Sequence, residues 1–334
     1  MDLPQELLDA IFDELVYDGD PKFLGACSLS CWSLLMTARR YRFRCISITQ
    51  GRMESHGYVL GNPSRECARF LDLVQILEQD PCHLPPRKGH PTLSSCIRHL
   101  SLQLSSAFQG DFDRSPFVPS AQKHWVAMNK KLPYIFSRLT RLQSVTLHFL
   151  GTRPFSWHLL DPFIISSLLQ LLRSPSINIL DLSHIHGLPA NIVLHCPNLK
   201  DLRVRGLVQE KSDISTYPIS ASQTMMPNLT YPPPSLERLT LASSDHFCSV
   251  LTNILKSGDA LPFKTLRALH LPDARPQPFN AETQVAVVAA SSTLQYLEIS
   301  FIQCVYLSGA YIFLILTLRS ISRSFIEWHS LWIL

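Results

Sequence analysis

The sequence lacks the short motifs that mark nucleotide-binding and hydrolase active sites. Its 334 residues contain no GxGxxG or GxxxxGK(S/T) phosphate loop and no GxSxG nucleophile turn. Acidic residues are also sparse among the predicted strands, so no pair of carboxylates is placed for general acid and base catalysis. These absences predict a protein that is not an enzyme and that binds no cofactor.

Cysteine is present, but not in a pattern that favours cross-linking or zinc binding. The nine cysteines are odd in number and include no CxxC pair, which argues against a disulfide framework. Two groups of metal-ligand residue types lack zinc-finger spacing, so no metal site is predicted. These groups are Cys82, His83, His90 and Cys96, and His184, His186, His195 and Cys196. The N-terminus has no secretory signal pattern, so we expect a reducing compartment, cytoplasmic or nuclear.

Charge is scarce and identifies no partner by itself. Charged residues make up 17% of the chain and the formal net charge is +4. Residues 1–20 hold seven acids and no base, whereas residues 39–44 hold four arginines. A nucleic-acid surface would need stacking aromatic groups or many more basic residues. The pattern is typical of two solvated helix faces and predicts no nucleic-acid partner.

The chain does contain an apolar helical pattern, which begins almost at the first residue. Pro4 suits the first turn of a helix, where a missing N–H group costs nothing. The apolar residues that follow it at helical spacing are Leu7, Leu8, Ile11, Phe12 and Leu15. A second apolar run, from Phe23 to Leu35, predicts one or two further short helices, and residues 43–48 are predicted as a strand.

These residues form the pattern Leu3-Pro4-x-Glu6-Leu7-Leu8-x-x-Ile11-Phe12-x-x-Leu15, followed by Leu24 and Leu29-x-Cys31. The pattern resembles an F-box, in the form common in large fungal families. That family usually has a Trp three residues after the Cys, where this chain has Leu34; Trp32 directly follows Cys31. The resemblance implies docking on the Skp-type adaptor of a cullin ubiquitin ligase. It implies these contact residues: Leu3, Pro4, Leu7, Leu8, Ile11, Leu24, Leu29 and Leu34.

A six-residue pattern, LxxLxL with apolar substitutions, recurs along the rest of the chain. Its copies are residues 97–102, 142–147, 177–182, 199–204, 236–241, 266–271 and 294–299, with 43–48 as an earlier member. One such unit cannot bury its apolar face alone, whereas stacked units share a core and a parallel sheet. The pattern resembles irregular leucine-rich repeats. Amphipathic helices are predicted between the copies, at residues 65–79, 124–139, 163–172, 247–255 and 281–290.

The positions between the repeated apolar residues are predicted to point away from the core and to form a polar sheet face. They mix both signs of charge with hydroxyl and aromatic groups, which suits a polar protein partner. We expect Arg203, Arg238 and Arg267 to contribute to binding an acidic protein substrate. Two polar inserts, residues 103–123 and 208–234, are the alternative substrate site.

The C-terminal part departs from the repeat pattern. Residues 299–318 carry no charge, a length that could span a bilayer, although such runs are more often a buried helix. The remaining residues to Leu334 match no repeat. The tail is therefore predicted as an atypical cap, a membrane span or a chain end outside the fold.

Together these patterns predict an α/β fold with three parts. Residues 1–42 form a short helical F-box-like module, residues 43–300 a leucine-rich-repeat solenoid with a parallel sheet, and residues 301–334 a hydrophobic tail. The expected function is a substrate-recruiting adaptor of a Skp–cullin–F-box ubiquitin ligase. The alternative is a repeat scaffold without a ligase link, in which the N-terminal helices cap the solenoid. A variant of this alternative is a scaffold anchored in a membrane through residues 299–318. If these helices are a cap, they should bury Leu7 and Ile11.

Overall fold

The protein is represented by a computed structural model. It describes residues 4–17, 21–30, 32–49, 52–53, 59–60, 63–80, 92–105, 119–150, 155–157, 160–186, 188, 190–206, 234–242, 265–274, 293–307 and 310–320. The chain packs as two compact units. The first comprises Met1–Thr146 and Asp161–Ser176, and the second comprises Leu147–Leu160 and Ile177–Leu334.

Three helices open the first unit: α1 (Gln5–Tyr17), α2 (Pro21–Ser30) and α3 (Trp32–Arg42). Pro4 precedes the first turn of α1, and its carbonyl accepts the N–H groups of Leu7 and Leu8, both at 3.1 Å. Strand β1 (Cys45–Thr49) follows α3, close to the predicted strand. The predicted succession of helices and strand is therefore confirmed.

The middle of the chain alternates helices with strands. In chain order the elements are β2 (Arg52–Met53), β3 (Val59–Leu60), α4 (Pro63–Gln79), α5 (Leu93–Cys96), β4 (His99–Ser105), α6 (Pro119–Arg138), β5 (Ser144–Leu150), β6 (Phe155–Ser156) and α7 (Pro162–Leu172). Helix α7 begins after Asp161, whose carboxylate accepts the N–H of Phe163 at 2.8 Å, a typical N-cap.

Helices α4, α6 and α7 confirm three of the predicted amphipathic helices. Two others, at residues 247–255 and 281–290, lie outside the described residues. The insert predicted at 103–123 is shorter than expected, because β4 continues to Ser105 and α6 already begins at Pro119. Residues 208–233 of the second insert lie outside the described residues.

The described part of the second unit consists mainly of strands. Its elements after residue 176 are β7 (Ile179–Ser183), β8 (Ile185–His186), a 3-10 helix (Ala190–His195), β9 (Asp201–Arg205), β10 (Arg238–Ala242), β11 (Ala268–Ala274), β12 (Tyr296–Leu307) and β13 (Ala310–Ser320). In the six copies of the repeat from residues 97–102 to residues 266–271, every apolar residue of LxxLxL is at most 7% exposed. These residues are the inward face of the strands, as their spacing predicts.

The strands pair in the order β1, β4, β5, β7, β9, β10, β11, β12 and β13. The first eight run parallel, so the predicted α/β fold with a parallel sheet is confirmed at this level. Equivalent repeat positions lie side by side: Leu100 pairs with Ile46 in the first unit, and Leu202 with both Leu180 and Leu239 in the second.

One hydrogen-bond arrangement recurs where the strands begin. The carbonyl of the residue after the first apolar position accepts two consecutive N–H groups from the equivalent residues of the next repeat. The accepting residues are Arg44, Arg98, Asn178, Lys200, Glu237 and Arg267, with N···O distances between 2.7 and 3.1 Å. At these six strand pairs, the register is thus set by backbone groups of the neighbouring strand.

The described residues of the apolar run at 299–318 form strands, so the expectation of a buried helix is wrong for them. Strand β12 continues beyond residue 300 and pairs antiparallel with β13, from Leu297 with Ser320 to Leu307 with Ala310. Nine of the 20 residues in this run are isoleucine, valine, phenylalanine or tyrosine, and these residue types favour strands. Among the helices of the described ranges, none combines the length and the hydrophobicity that crossing a bilayer requires.

Candidate functional site

The N-terminal helices pack around a small core of Phe12, Cys27 and Ala38. The ring of Phe12 stacks on Tyr41 with centroids 5.4 Å apart. The Tyr41 hydroxyl donates to the carbonyl of Asp9 at 2.9 Å. Burial, together with the neighbouring Asp13 carboxylate, raises the pKa of Tyr41 to about 12. Helix α3 is therefore fixed to α1 by the stacking of Tyr41 on Phe12 and by the hydrogen bond from the Tyr41 hydroxyl to the carbonyl of Asp9.

The apolar stripe predicted on α1 divides into two faces. Leu8 and Phe12 point inward and are 7% and 1% exposed, whereas Leu7 and Ile11 are 48% and 41% exposed. The two residues of each pair are four positions apart in sequence, so they lie on the same side of the helix. The exposed pair precedes the buried pair by one position. We call Leu7 and Ile11 the α1 outer face.

The other residues implied by the F-box resemblance differ in exposure. Leu29 on α2 is 89% exposed, and Pro4 is also exposed. Leu24 and Leu34 are half-buried and pack against the core of the helices. Leu3 lies outside the described residues. Leu8 departs from the expectation of an uncovered contact surface, because it belongs to the buried side of α1.

A row of polar residues crosses the strands of the second unit. The backbone register places Asp181, Arg203, Thr240, His270 and Glu298 side by side on β7, β9, β10, β11 and β12. A second row, one pleat earlier, contains Asp201, Arg238, Ala268 and Tyr296. These two rows form what we call the polar face.

Two acids of the polar face, Asp201 and Glu298, are in contact with neighbouring side chains. Two nitrogens of Arg203 donate to the carboxylate of Asp201 at 3.2 and 2.8 Å, which raises the pKa of Arg203. The Nε2 of His270 lies 3.1 Å from Glu298, whose carboxylate also accepts the Tyr296 hydroxyl at 2.6 Å. Burial raises the pKa of Asp181, and the nearby Arg205 and Arg203 act against this shift.

The three arginines expected to bind substrate therefore differ. Arg238 and Arg267 are exposed, whereas Arg203 is half-buried and engaged by Asp201. Asp201 was expected to be open to solvent, but it is only 6% exposed because Arg203 and the neighbouring strands cover it. Ser144 on β5, another position expected outside, is 9% exposed.

Sequence reasoning missed Arg205, which lies on the same side of β9 as Arg203. Strand β9 extends one residue beyond its LxxLxL copy. Because side chains alternate between the two faces of a strand, Arg205 lies on the same face as Arg203, two residues earlier. It also missed a contact between His148 and Ser183, whose side chains hydrogen-bond although 35 residues separate them. Burial lowers the pKa of His148, and His184 lies edge-on to its ring at 5.5 Å between centroids.

The backbone beside this histidine cluster takes an uncommon conformation. His184 and Gly206 have φ angles of 56° and 58°. A Cβ atom at Gly206 would lie 3.3 Å from Nδ1 of His184, so a larger residue there would be strained by both its φ angle and this contact. The imidazole of His184 and the chain at Gly206 thus restrict each other.

Within the described ranges, no group of three or more His, Cys, Asp or Glu residues is placed to hold a metal ion. Cys82, His83 and His90 of the first group considered in the sequence lie outside these ranges. The two surfaces that remain as candidate sites are the α1 outer face and the polar face. A scan of protein-family models and a search of curated proteins each found no match to the chain.

Proposed function

We propose that this protein is the substrate-recruiting subunit of a Skp–cullin–F-box type ubiquitin ligase. Its N-terminal helices would dock on a Skp-type adaptor, and its repeats would bind a protein substrate. The observation that carries the proposal is the exposure of the α1 outer face, where Leu7 and Ile11 are 48% and 41% exposed. Apolar side chains exposed on one side of a helix suit a protein interface.

The packing beneath this face supports a docking role. Phe12 and Leu8 hold α1 against the core, so Leu7 and Ile11 are presented by a helix that is already fixed. A partner that covers them would gain hydrophobic burial without ordering this helix first. Leu29 offers a further exposed apolar side chain on α2.

The strands support the second half of the proposal, a leucine-rich-repeat solenoid with a substrate-binding face. In the six copies from residues 97–102 to 266–271 the apolar residues are buried, and the positions between them include the polar residues of the polar face. The repeated carbonyl arrangement shows that equivalent residues have equivalent backbone roles. Repetition of one structural unit is the defining property of a solenoid.

The alternative is a repeat scaffold in which the N-terminal helices only cap the strands. Burial of Leu7 and Ile11 was the expected mark of such a cap, and the exposure of both side chains favours adaptor docking instead. Membrane anchorage would have depended on residues 299–318. The described part of that segment pairs as strands β12 and β13.

The test is binding of a purified Skp-type adaptor to the full chain. Replacing Leu7 and Ile11 by Asp should weaken binding at least about tenfold, because charge would enter an apolar interface. Leu71 and Ile76 on α4 provide a matched control, since they are the same residue types and are 41% and 46% exposed. Isothermal titration would measure both double variants, and circular dichroism would verify their folding.

The control variant L71D/I76D should bind like the wild type. Equal binding by L7D/I11D and the wild type would contradict the docking role of the α1 outer face. Equal losses in the two variants would show that the effect is not specific to this face.

A further inference from the structure

A groove on the polar face combines a floor of small residues with basic walls. It crosses β9, β10 and β11 and has a volume of about 690 Å³. Thr240, Ala242 and Ala268 contribute short side chains to its lining, and Arg205 and Arg238 contribute long basic ones. The short side chains in the lining leave room for the side chains of another chain.

The charges of the groove do not cancel. Three arginines, 203, 205 and 238, and one acid, Asp201, line it, which leaves a net charge of +2 with histidine neutral. Asp201 is bound by Arg203. Among the described residues, Arg205 and Arg238 take part in no ion pair within 4 Å, and both are exposed, while the carboxylate of Asp181 lies near Arg205.

Arg205 and Arg238 lie at opposite ends of the paired strands β9 and β10. Arg238 begins β10 opposite Asp201, whereas Arg205 ends β9 opposite Ala242. Four strand positions separate these two rows, which corresponds to about 13 Å along the strands. An extended peptide has about the same rise, so acidic residues about four positions apart would match both arginines.

We propose that this groove binds an extended acidic peptide segment of a partner protein, with two carboxylates about four residues apart engaging Arg205 and Arg238. The proposal rests on the proposed function, since the partner would be the recruited substrate. Guanidinium and carboxylate groups form charge-assisted, often paired hydrogen bonds, which gives arginine a geometric preference for this ligand.

The same face disfavours a nucleic acid. Asp181 and Glu298 lie in the row of Arg203 and His270, so the row carries acids at both ends. A backbone with a phosphate at every nucleotide would meet these carboxylates as well as the arginines. A peptide can place its acids only where the cations lie. The alternation of charge along the face therefore favours an acidic protein segment.

The experiment selects random peptides displayed on phage against the full-length protein. Peptides with two acidic residues about four positions apart should be enriched. A synthetic, fluorescein-labelled copy of an enriched peptide is then titrated by fluorescence anisotropy. Binding should weaken about tenfold or more in the variant R205E/R238E, and also when the acidic residues of the peptide are replaced by their amides.

Two further variants make the result interpretable. R65E/R141E carries the same charge change on exposed residues outside the groove and should keep the affinity of the wild type. R205Q/R238Q removes the charge without reversing it and replaces the first variant if circular dichroism shows that R205E/R238E does not fold.

Selection without acidic enrichment, or unchanged affinity in a folded groove variant, would overturn the proposal. So would a single-stranded DNA oligonucleotide that binds the groove more tightly than the peptide. Adaptor binding is measured on the same preparations. Loss of peptide binding with intact adaptor binding is expected of R205E/R238E. Acidic peptide binding by a wild-type chain that binds no adaptor would contradict the proposed function and leave the groove assignment standing.

Discussion

The α1 outer face and the polar face differ in what they leave uncovered. The first exposes the apolar side chains of Leu7 and Ile11, whereas the second exposes a surface whose acids are mostly bound by neighbouring residues. An apolar face gains free energy from any partner that removes it from water. A surface of internally satisfied charges gains little, and it selects partners by the few cations that remain open. In the proposed function, the α1 outer face would therefore contribute mainly affinity and the polar face mainly selectivity.

The largest effect should distinguish the two sides of α1. Replacing Phe12 by Ala should destabilise the helices by about 3–5 kcal/mol, because the side chain is 1% exposed and stacks on Tyr41. Replacing Ile11, its neighbour in sequence, by Ala should change stability by no more than about 0.5 kcal/mol. Urea unfolding followed by circular dichroism would measure both. A large loss in I11A would show that the outer face is part of the core.

A smaller effect should come from the ion pair of the polar face. Replacing Asp201 by Asn should cost about 1 kcal/mol of stability, since the 9% exposed carboxylate holds Arg203 through two hydrogen bonds. The same change frees the guanidinium of Arg203. The acidic peptide should therefore bind more tightly to D201N, the opposite direction to R205E/R238E. Weaker peptide binding by a folded D201N protein would contradict the groove assignment.

The smallest effect concerns alkaline pH and should appear in the N-terminal helices. The pKa of Tyr41 is raised to about 12 from 10.0, chiefly by burial, so the folded state favours the neutral phenol. This contribution to stability is fully present below pH 10 and is lost as the pH rises through about 12. Replacing Tyr41 by Phe should remove that part of the alkaline loss, measured by urea unfolding at a series of pH values. An unchanged alkaline profile in Y41F would assign the loss to other groups.

Periodicity in the sequence predicted the strands and helices but not which edge of the α1 stripe is buried. Leu7 and Leu8 are equally apolar, and the choice between them depends on Tyr41 and Ala38, which α3 brings from far along the chain. Leu8, one of the contact residues that the F-box resemblance implies, is 7% exposed, so replacing it by Asp would place a charge in the core. The exposed pair Leu7 and Ile11 is thus the proper choice for testing docking.

Other features depended on partners that the sequence does not identify. The apolar run after Glu298 fits a helix as well as a strand by length, and its pairing as β12 and β13 decided the outcome. Asp201 was correctly placed on the polar side, but its burial follows from Arg203 two residues later. The contact of His148 with Ser183 arises from strands that are distant in sequence and close in space.

The paired N–H groups at each strand start have a consequence for how this chain can change over time. From residue 97 onward, successive repeats begin 45, 35, 22, 37, 30 and 28 residues apart. Six described carbonyls nevertheless each accept two consecutive N–H groups from equivalent positions of the neighbouring strand. Because the register is fixed at the strand starts and not by the lengths of the intervening segments, insertions and deletions can accumulate there at little cost. Such drift erases the regular spacing by which repeats are recognised, while the residues of the binding surface keep their positions.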